Sequence, residues 1–303
     1  MEVMQLADSC SRFYGLSQAP FGLTPNTDFY VDLPSQRKAF DMLVYALSSG
    51  EGFIKVTGEV GTGKTMLCRR LLNTLDHKGF HTAYIPNPAV DPEGLWQAIA
   101  RELEISYQHH GDPVQLRADI ENFLLIQAKN QHQVVLIIDE AQSMPRETLE
   151  ALRLISNLET EKQKLIQIVL FGQPELDVTL SQPELRQLYQ RITSSSRLNP
   201  LCDDESLGLY LQQRMCLAGY TGIPVFTNKA ISALWQATQG IPRLVNVIAS
   251  KALLVGYGAG TQRLDVRHVN LAIEDTEFSF RQSQPVRRWP HLLALAVTAV
   301  VCL

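Results

Sequence analysis

The stretch GEVGTGKT, Gly58 to Thr65, stands between an apolar run, GFIKVT (52–57), and a helix-like one, MLCRRLLNTLD (66–76). It matches G-x-x-x-x-G-K-[ST], in which glycines let the backbone bend so that its N–H groups face phosphate oxygens. The helix that follows adds its positive N-terminal end. Gly58, Glu59, Val60, Gly61, Thr62, Gly63, Lys64, Thr65 and Met66 are therefore expected to cradle ATP, with Lys64 on the β- and γ-phosphates and Thr65 offering its hydroxyl to Mg²⁺. A glycine turn that merely ended a strand would give Lys64 and Thr65 no task.

Such a loop needs an acid for the metal, and VVLIIDEAQ (134–142) places one at the end of a buried-looking strand. Open α/β sheets bind their ligands at that end. Asp139 is expected to hold Mg²⁺ through water, and Glu140 to polarise the attacking water. In LIQIVLFGQPEL (165–176), Gln173 falls where the next strand should exit, within reach of the γ-phosphate or the water. GIPRLVN (240–246) opens a helix from which Arg243 could swing onto the γ-phosphate. PELRQLYQRITSSSR (183–197) offers Arg186, Arg191 and Arg197, of which Arg191 is the favoured arginine to act across a subunit interface.

Around these motifs the chain alternates. Apolar runs at 82–86, 134–138 and 165–171, and a weaker one at 192–198, join the strand ending at Thr57. Between them lie helical stretches. One is capped by Asp91 and Pro92 and carries Leu95, Ile99 and Leu103; another places Leu149, Leu152, Ile155 and Leu158 on one stripe. This predicts an α/β fold with a parallel five-stranded sheet covered on both faces. After Pro200 strand signals cease and helical ones follow, punctuated by Gly219, Pro224 and Gly240 to Pro242. The expected organisation is a leader over 1–35, a core over 36–200, a small all-helical lid over 201–280 and a basic, apolar tail over 281–303.

Composition narrows the partners. A net charge of −4 exerts no global pull on nucleic acid or anionic lipid. The five cysteines, Cys10, Cys68, Cys202, Cys216 and Cys302, show no metal spacing and read as buried, reduced thiols. The start has neither the basic region nor the apolar run of a signal peptide, so a reducing cytoplasm is expected. From Leu292 the chain reads LLALAVTAVVCL, preceded by Arg287, Arg288 and Trp289. This is shorter than the roughly 20 apolar residues of a membrane span, but its flanks suit a marginal anchor at the inner membrane.

The ordered set GEVGTGKT, VVLIIDEAQ, LFGQPEL, LRQLYQRI and GIPRLVN resembles an AAA+ ATPase. The leader YGLSQAPFGLTPNTDFYVDLPSQRKAFDMLVYALSSGEGF (14–53) is similar to that of the ExeA/GspA group of bacterial secretion ATPases, in particular its branch serving MSHA-type pili. The resemblance implies a P-loop αβα core and a helical lid with nucleotide at their junction, in a ring or dimer-like homo-oligomer. It makes Lys64 and Thr65 Walker A, Asp139 and Glu140 Walker B, Gln173 the first sensor and Arg243 the second. Gln173 departs from the Asn, Ser or Thr common at that position. The segment before the P-loop would hold adenine, with Phe21, Phe29 and Tyr30 as candidates. The implied activity is Mg²⁺-dependent ATP hydrolysis assisting pilus or secretion assembly at the cytoplasmic face of the inner membrane. The residues also leave open a DNA-directed ATPase of the transposition or helicase-loading type, which the acidic balance disfavours, and a non-hydrolysing nucleotide switch, which Glu140 disfavours.

Overall fold

The computed structural model describes residues 2–76, 78–106, 112–161 and 163–276. The expected tail anchor, with Arg287, Arg288, Trp289 and Cys302, lies outside them. Five strands, β1 (Phe53–Gly58), β2 (His81–Ile85), β3 (Val134–Ile138), β4 (Gln167–Gly172) and β5 (Ser194–Leu198), form one parallel sheet in the order β2-β3-β4-β1-β5. Eight helices belong to the leader and the sheet region: α1 (Glu2–Phe13), α2 (Pro34–Ser48), α3 (Lys64–Asp76), α4 (Pro92–Glu102), α5 (Pro113–Lys129), α6 (Arg146–Ile155), α7 (Glu175–Leu180) and α8 (Arg186–Tyr189). Four more follow the last strand: α9 (Asp204–Leu217), α10 (Asn228–Thr238), α11 (Pro242–Gly258) and α12 (Val266–Glu274).

β1, β3 and β4 are buried along their whole length because both sheet faces are covered there. In β3 alternate side chains enter two separate cores. Leu136 and Ile138 pack with Leu95, Ile99 and Leu149, while Val135 and Ile137 pack with Leu43, Leu67 and Leu71. Each fully buried leucine contributes about 1.5–3 kcal/mol. β5 is, with β2, an edge strand, and its burial alternates along SSSRL. That half-exposed position explains its weak apolar signal.

The strands depart from the apolar runs by a residue or two at their ends. Helix α6 stops at Ile155, capped by Ser156, so Leu158 packs on the core from a turn rather than from the helix stripe. Helix α5, capped by Asp112 and burying Leu116, Ile120 and Leu124, was not foreseen. The cysteine expectation needs correction. Cys10 and Cys68 are buried, but Cys202 and Cys216 are exposed, the first in the turn before α9 and the second on its solvent side; all four are free.

A third core joins α9–α12 to the leader. Leu207, Leu234, Val245, Ile248 and Leu264 of the helical region bury Tyr14, Phe21, Phe29 and Val31. The Tyr14 hydroxyl donates to the Leu253 carbonyl at 3.0 Å, and the Ser17 amide and hydroxyl both donate to that of Ala218 at 2.8 Å. Cys10 to Val31 are thus packed with the last described helices.

Candidate functional site

The loop between β1 and α3 turns on two glycines in the left-handed region, Gly61 (φ 83°) and Gly63 (φ 97°). A side chain on Gly63 would strike the Gln36 amide, which donates to the Thr62 carbonyl at 3.1 Å and props the loop from α2. Thr62 is buried and its hydroxyl donates to the Glu59 carbonyl at 2.8 Å. Lys64 lies back over the loop, with Nζ donating to the carbonyls of Gly58 (2.8 Å) and Glu59 (3.1 Å). Burial lowers its pKa, opposed by the charges of Glu140, Asp139 and Glu59. A buried ammonium held only by carbonyls is suited to an anionic ligand.

The loop is brought against the end of β3. The Thr65 hydroxyl donates to Asp139 Oδ2 at 3.0 Å, and the Glu140 amide donates to Oδ1 at 2.9 Å. Asp139 is 3% exposed, and burial pushes its carboxyl up, against the lowering effect of those two hydrogen bonds. The paired, hard oxygens of Thr65 and Asp139 fit Mg²⁺, which takes oxygen ligands and keeps several waters.

Glu140 adopts the left-handed region at φ 52°, a strained conformation for a residue with a side chain. Its Oε2 accepts from Gln142 Nε2 (2.5 Å) and from Gln173 Nε2 (3.1 Å). Gln142 Oε1 in turn accepts from the Gln173 amide at 2.9 Å. The carboxylate at the end of β3 is thereby referenced to the end of β4. Gln173 is where the sequence placed it; Gln142 and Gln36 were missed.

Lys64, Thr65 and Glu140 open onto a cavity of about 310 Å³, the size range of small-ligand sites. Gly61, Gly63, Lys64, Thr65, Met66, Val60 and Glu140 line one end. Leader residues, Phe29 and Tyr30 among them, line the other, facing Tyr210, Arg214 and Asn246 of the helical region. Phe21 is not in the wall; it is buried against Phe226, with ring centroids 6.2 Å apart. Arg243 does line the cavity, and its backbone amide donates to the Gly61 carbonyl at 3.1 Å. Tyr210 and Arg214 belong to none of the motifs, and Asn246 closes GIPRLVN without having been assigned a role; none of the three was anticipated. The Tyr210 hydroxyl donates to Asn246 Oδ1 at 2.8 Å.

The three arginines of 183–197 do not enter this cavity. Arg197 lies 3.8 Å from Glu59 on the exposed rim, and Arg186 is exposed on α8. Arg191 precedes β5, at the sheet end opposite the loop, where Nη1 donates to the Ser156 hydroxyl at 3.1 Å. Among the described residues, no cluster of three or more His, Cys, Asp or Glu forms another metal site, and no helix is long and apolar enough to cross a membrane.

Comparison with known proteins agrees with this geometry. Residues 47–180 match the family described as AAA domain. The chain is 39% identical over 262 residues, 86% of its length, to general secretion pathway protein A of Aeromonas hydrophila. It spans about half of that relative, 47%. Among solved structures, the Aeropyrum pernix ORC2 protein in its ADPNP-ADP complexes superposes with a TM-score of 0.63 at 20% identity, covering 86% of this chain and 72% of that one. Cdc6p from Pyrobaculum aerophilum gives 0.62 at 17% identity, over 88% and 70%. The Thermotoga maritima RuvB Holliday junction branch migration motor gives 0.53 at 17%, over 82% and 70%. At these identities the structures speak for the fold alone, a P-loop AAA fold with a helical C-terminal part.

Proposed function

We propose that this chain, related over most of its length to general secretion pathway protein A and carrying an AAA domain, is an ATPase that uses Mg²⁺. The observation that carries hydrolysis, rather than binding alone, is the Glu140 carboxylate held by Gln142 and Gln173 beside the Thr65–Asp139 pair. Lys64 leaves its loop carbonyls for the β- and γ-phosphates, and the loop amides with the start of α3 hold the remaining phosphate oxygens. Thr65 and Asp139 would hold the metal, which would supply positive charge against the phosphates. Glu140 takes a proton from the attacking water, Gln173 keeps that carboxylate aligned, and Arg243 approaches the γ-phosphate from α11. Arg191 acts on the site of a second copy, so that hydrolysis follows assembly.

At the level of the cell, we assign the chain to assembly of a pilus or secretion machine at the cytoplasmic face of the inner membrane. The resemblance to the MSHA pilus biogenesis protein MshM supports the pilus, and the basic, apolar tail supports membrane contact. Nucleotide binding and turnover measured separately test the enzymatic reading. Lys64→Ala is expected to abolish binding, and Glu140→Gln to bind ATP normally while turning over at least about 100-fold more slowly. Normal turnover by Glu140→Gln would remove Glu140 from its role.

A further inference from the structure

Arg214, in the last turn of α9, is an arginine only 5% exposed. Its three nitrogens reach three different carbonyls of the leader: Nε donates to Pro20 at 2.7 Å, Nη1 to Phe29 at 3.0 Å and Nη2 to Gly22 at 3.3 Å. The guanidinium also lies over the Phe29 ring, 4.9 Å from its centroid. Burial lowers its pKa, and among the described residues it makes no ion pair with a carboxylate. Burying an unpaired cation is an expensive way to pin two segments that already share an apolar core. Its position supplies a reason for it. Arg214 itself lines the cavity, and Gly22 and Phe29, whose carbonyls it holds, belong to the wall at the end away from the phosphate loop.

That wall needs holding. Between its fixed points the leader is exposed at Gly22, Leu23 and Thr24. Its other end is tied to α3: Arg69 donates to the Pro25 carbonyl at 2.6 Å, and Arg70 pairs with Asp32 at 3.4 Å while stacking on Tyr30. The leader is therefore a strap from α9 to the helix that begins with Lys64, passing the part of the cavity that the phosphate groups leave to the nucleoside. A lysine ammonium concentrates its donors on one atom, whereas the guanidinium fork spreads three nitrogens towards the three separate carbonyls.

We propose that Arg214 is a positioning residue for the nucleoside half of the ligand, latching the leader strap into the shape that receives the base and ribose. This rests on the nucleotide reading above, in which the segment before the phosphate loop takes the base, and adds to it the residue that fixes that segment's shape.

The test compares MgATP with inorganic tripolyphosphate plus Mg²⁺, which engages the loop alone, on full-length wild type, Arg214→Met and Arg214→Lys. Both variants are expected to raise the Kd for ATP about tenfold or more while changing that for tripolyphosphate by less than about twofold. Limited proteolysis in the leader is expected to be slowed by ATP in wild type and unaffected by ATP in the variants. Equal weakening of both ligands would reduce Arg214 to a structural staple and overturn the proposal, as would unchanged ATP affinity. Full affinity in Arg214→Lys would overturn the fork argument. If Arg214→Met does not fold, Arg214→Lys carries the comparison. Wild type that binds neither ligand would instead refute the nucleotide reading, and the latch with it.

Discussion

Asp139 is a carboxyl with a stability cost. Burial raises its pKa, so the native state binds its proton more readily than the unfolded chain does. The group therefore favours the fold most at acid pH, and that contribution is lost as pH rises from the ordinary carboxylate range through the raised value. When ionised, the group is a desolvated charge that the hydrogen bonds from Thr65 and the Glu140 amide and the charge of Lys64 only partly offset. Asp139→Asn keeps both hydrogen bonds, accepting from the Glu140 amide and donating to Thr65, and is expected to raise Tm by about 2–5 °C while lowering turnover. Calorimetry without nucleotide checks the first effect. Gln142→Ala removes one of the two donors on Glu140 and should lower kcat about tenfold with ATP affinity unchanged, measured by steady-state turnover and direct binding. Lys64, Thr65, Asp139 and Glu140 were legible in the sequence because each lies within a short string whose spacing has one chemical use. Gln36, Tyr210, Arg214 and Asn246 were not, since each acquires its task from a partner that only the folded chain brings near.

Helix α11 reaches the phosphate loop through a turn at Gly240, whose φ is 70°. The Gly240 carbonyl accepts from the Leu201 amide at 2.9 Å, and a Cβ there would sit 2.1 Å from the Leu201 carbonyl oxygen, a backbone atom that cannot swing aside. Gly240→Ala is expected to cost at least about 2 kcal/mol, read by urea unfolding, and to weaken nucleotide binding by moving Pro242 and Arg243 off the loop. A smaller version of the same effect is expected at Gly61, where a Cβ would lie 2.7 Å from that of Arg243. At this scale the sequence was most readable where burial is uniform. β1, β3 and β4 are covered on both faces and announce themselves as apolar runs, and Asp91 caps α4 as its position suggests, accepting from the Gly94 amide at 2.7 Å. The edge strand β5 patterns less clearly because one side of it faces water, and helix α5 because Val114, Leu125 and Ile126 stand exposed and blur its apolar stripe.

Across the whole molecule, the parallel sheet puts Arg191 a strand's length from the cavity of its own chain, tied to the end of α6. If it works on a second copy, specific ATPase activity should rise with protein concentration. It should be lost in Arg191→Ala with nucleotide binding retained, and activity independent of both would mean a self-contained site. The order of segments in space also differs from their order along the chain, and this bears on how the protein is made. The loop-bearing strand β1 lies between β4 and β5, and the leader's aromatic residues are buried by α9–α12. At about 5–20 residues per second, a ribosome that has finished Tyr14, Phe21 and Phe29 needs on the order of ten seconds or more before Leu207 and the helices after it emerge. Throughout that interval the leader is an apolar ribbon waiting for α9–α12, so a nascent chain released after β5 presents chaperones and proteases with a finished sheet and an unsheltered leader.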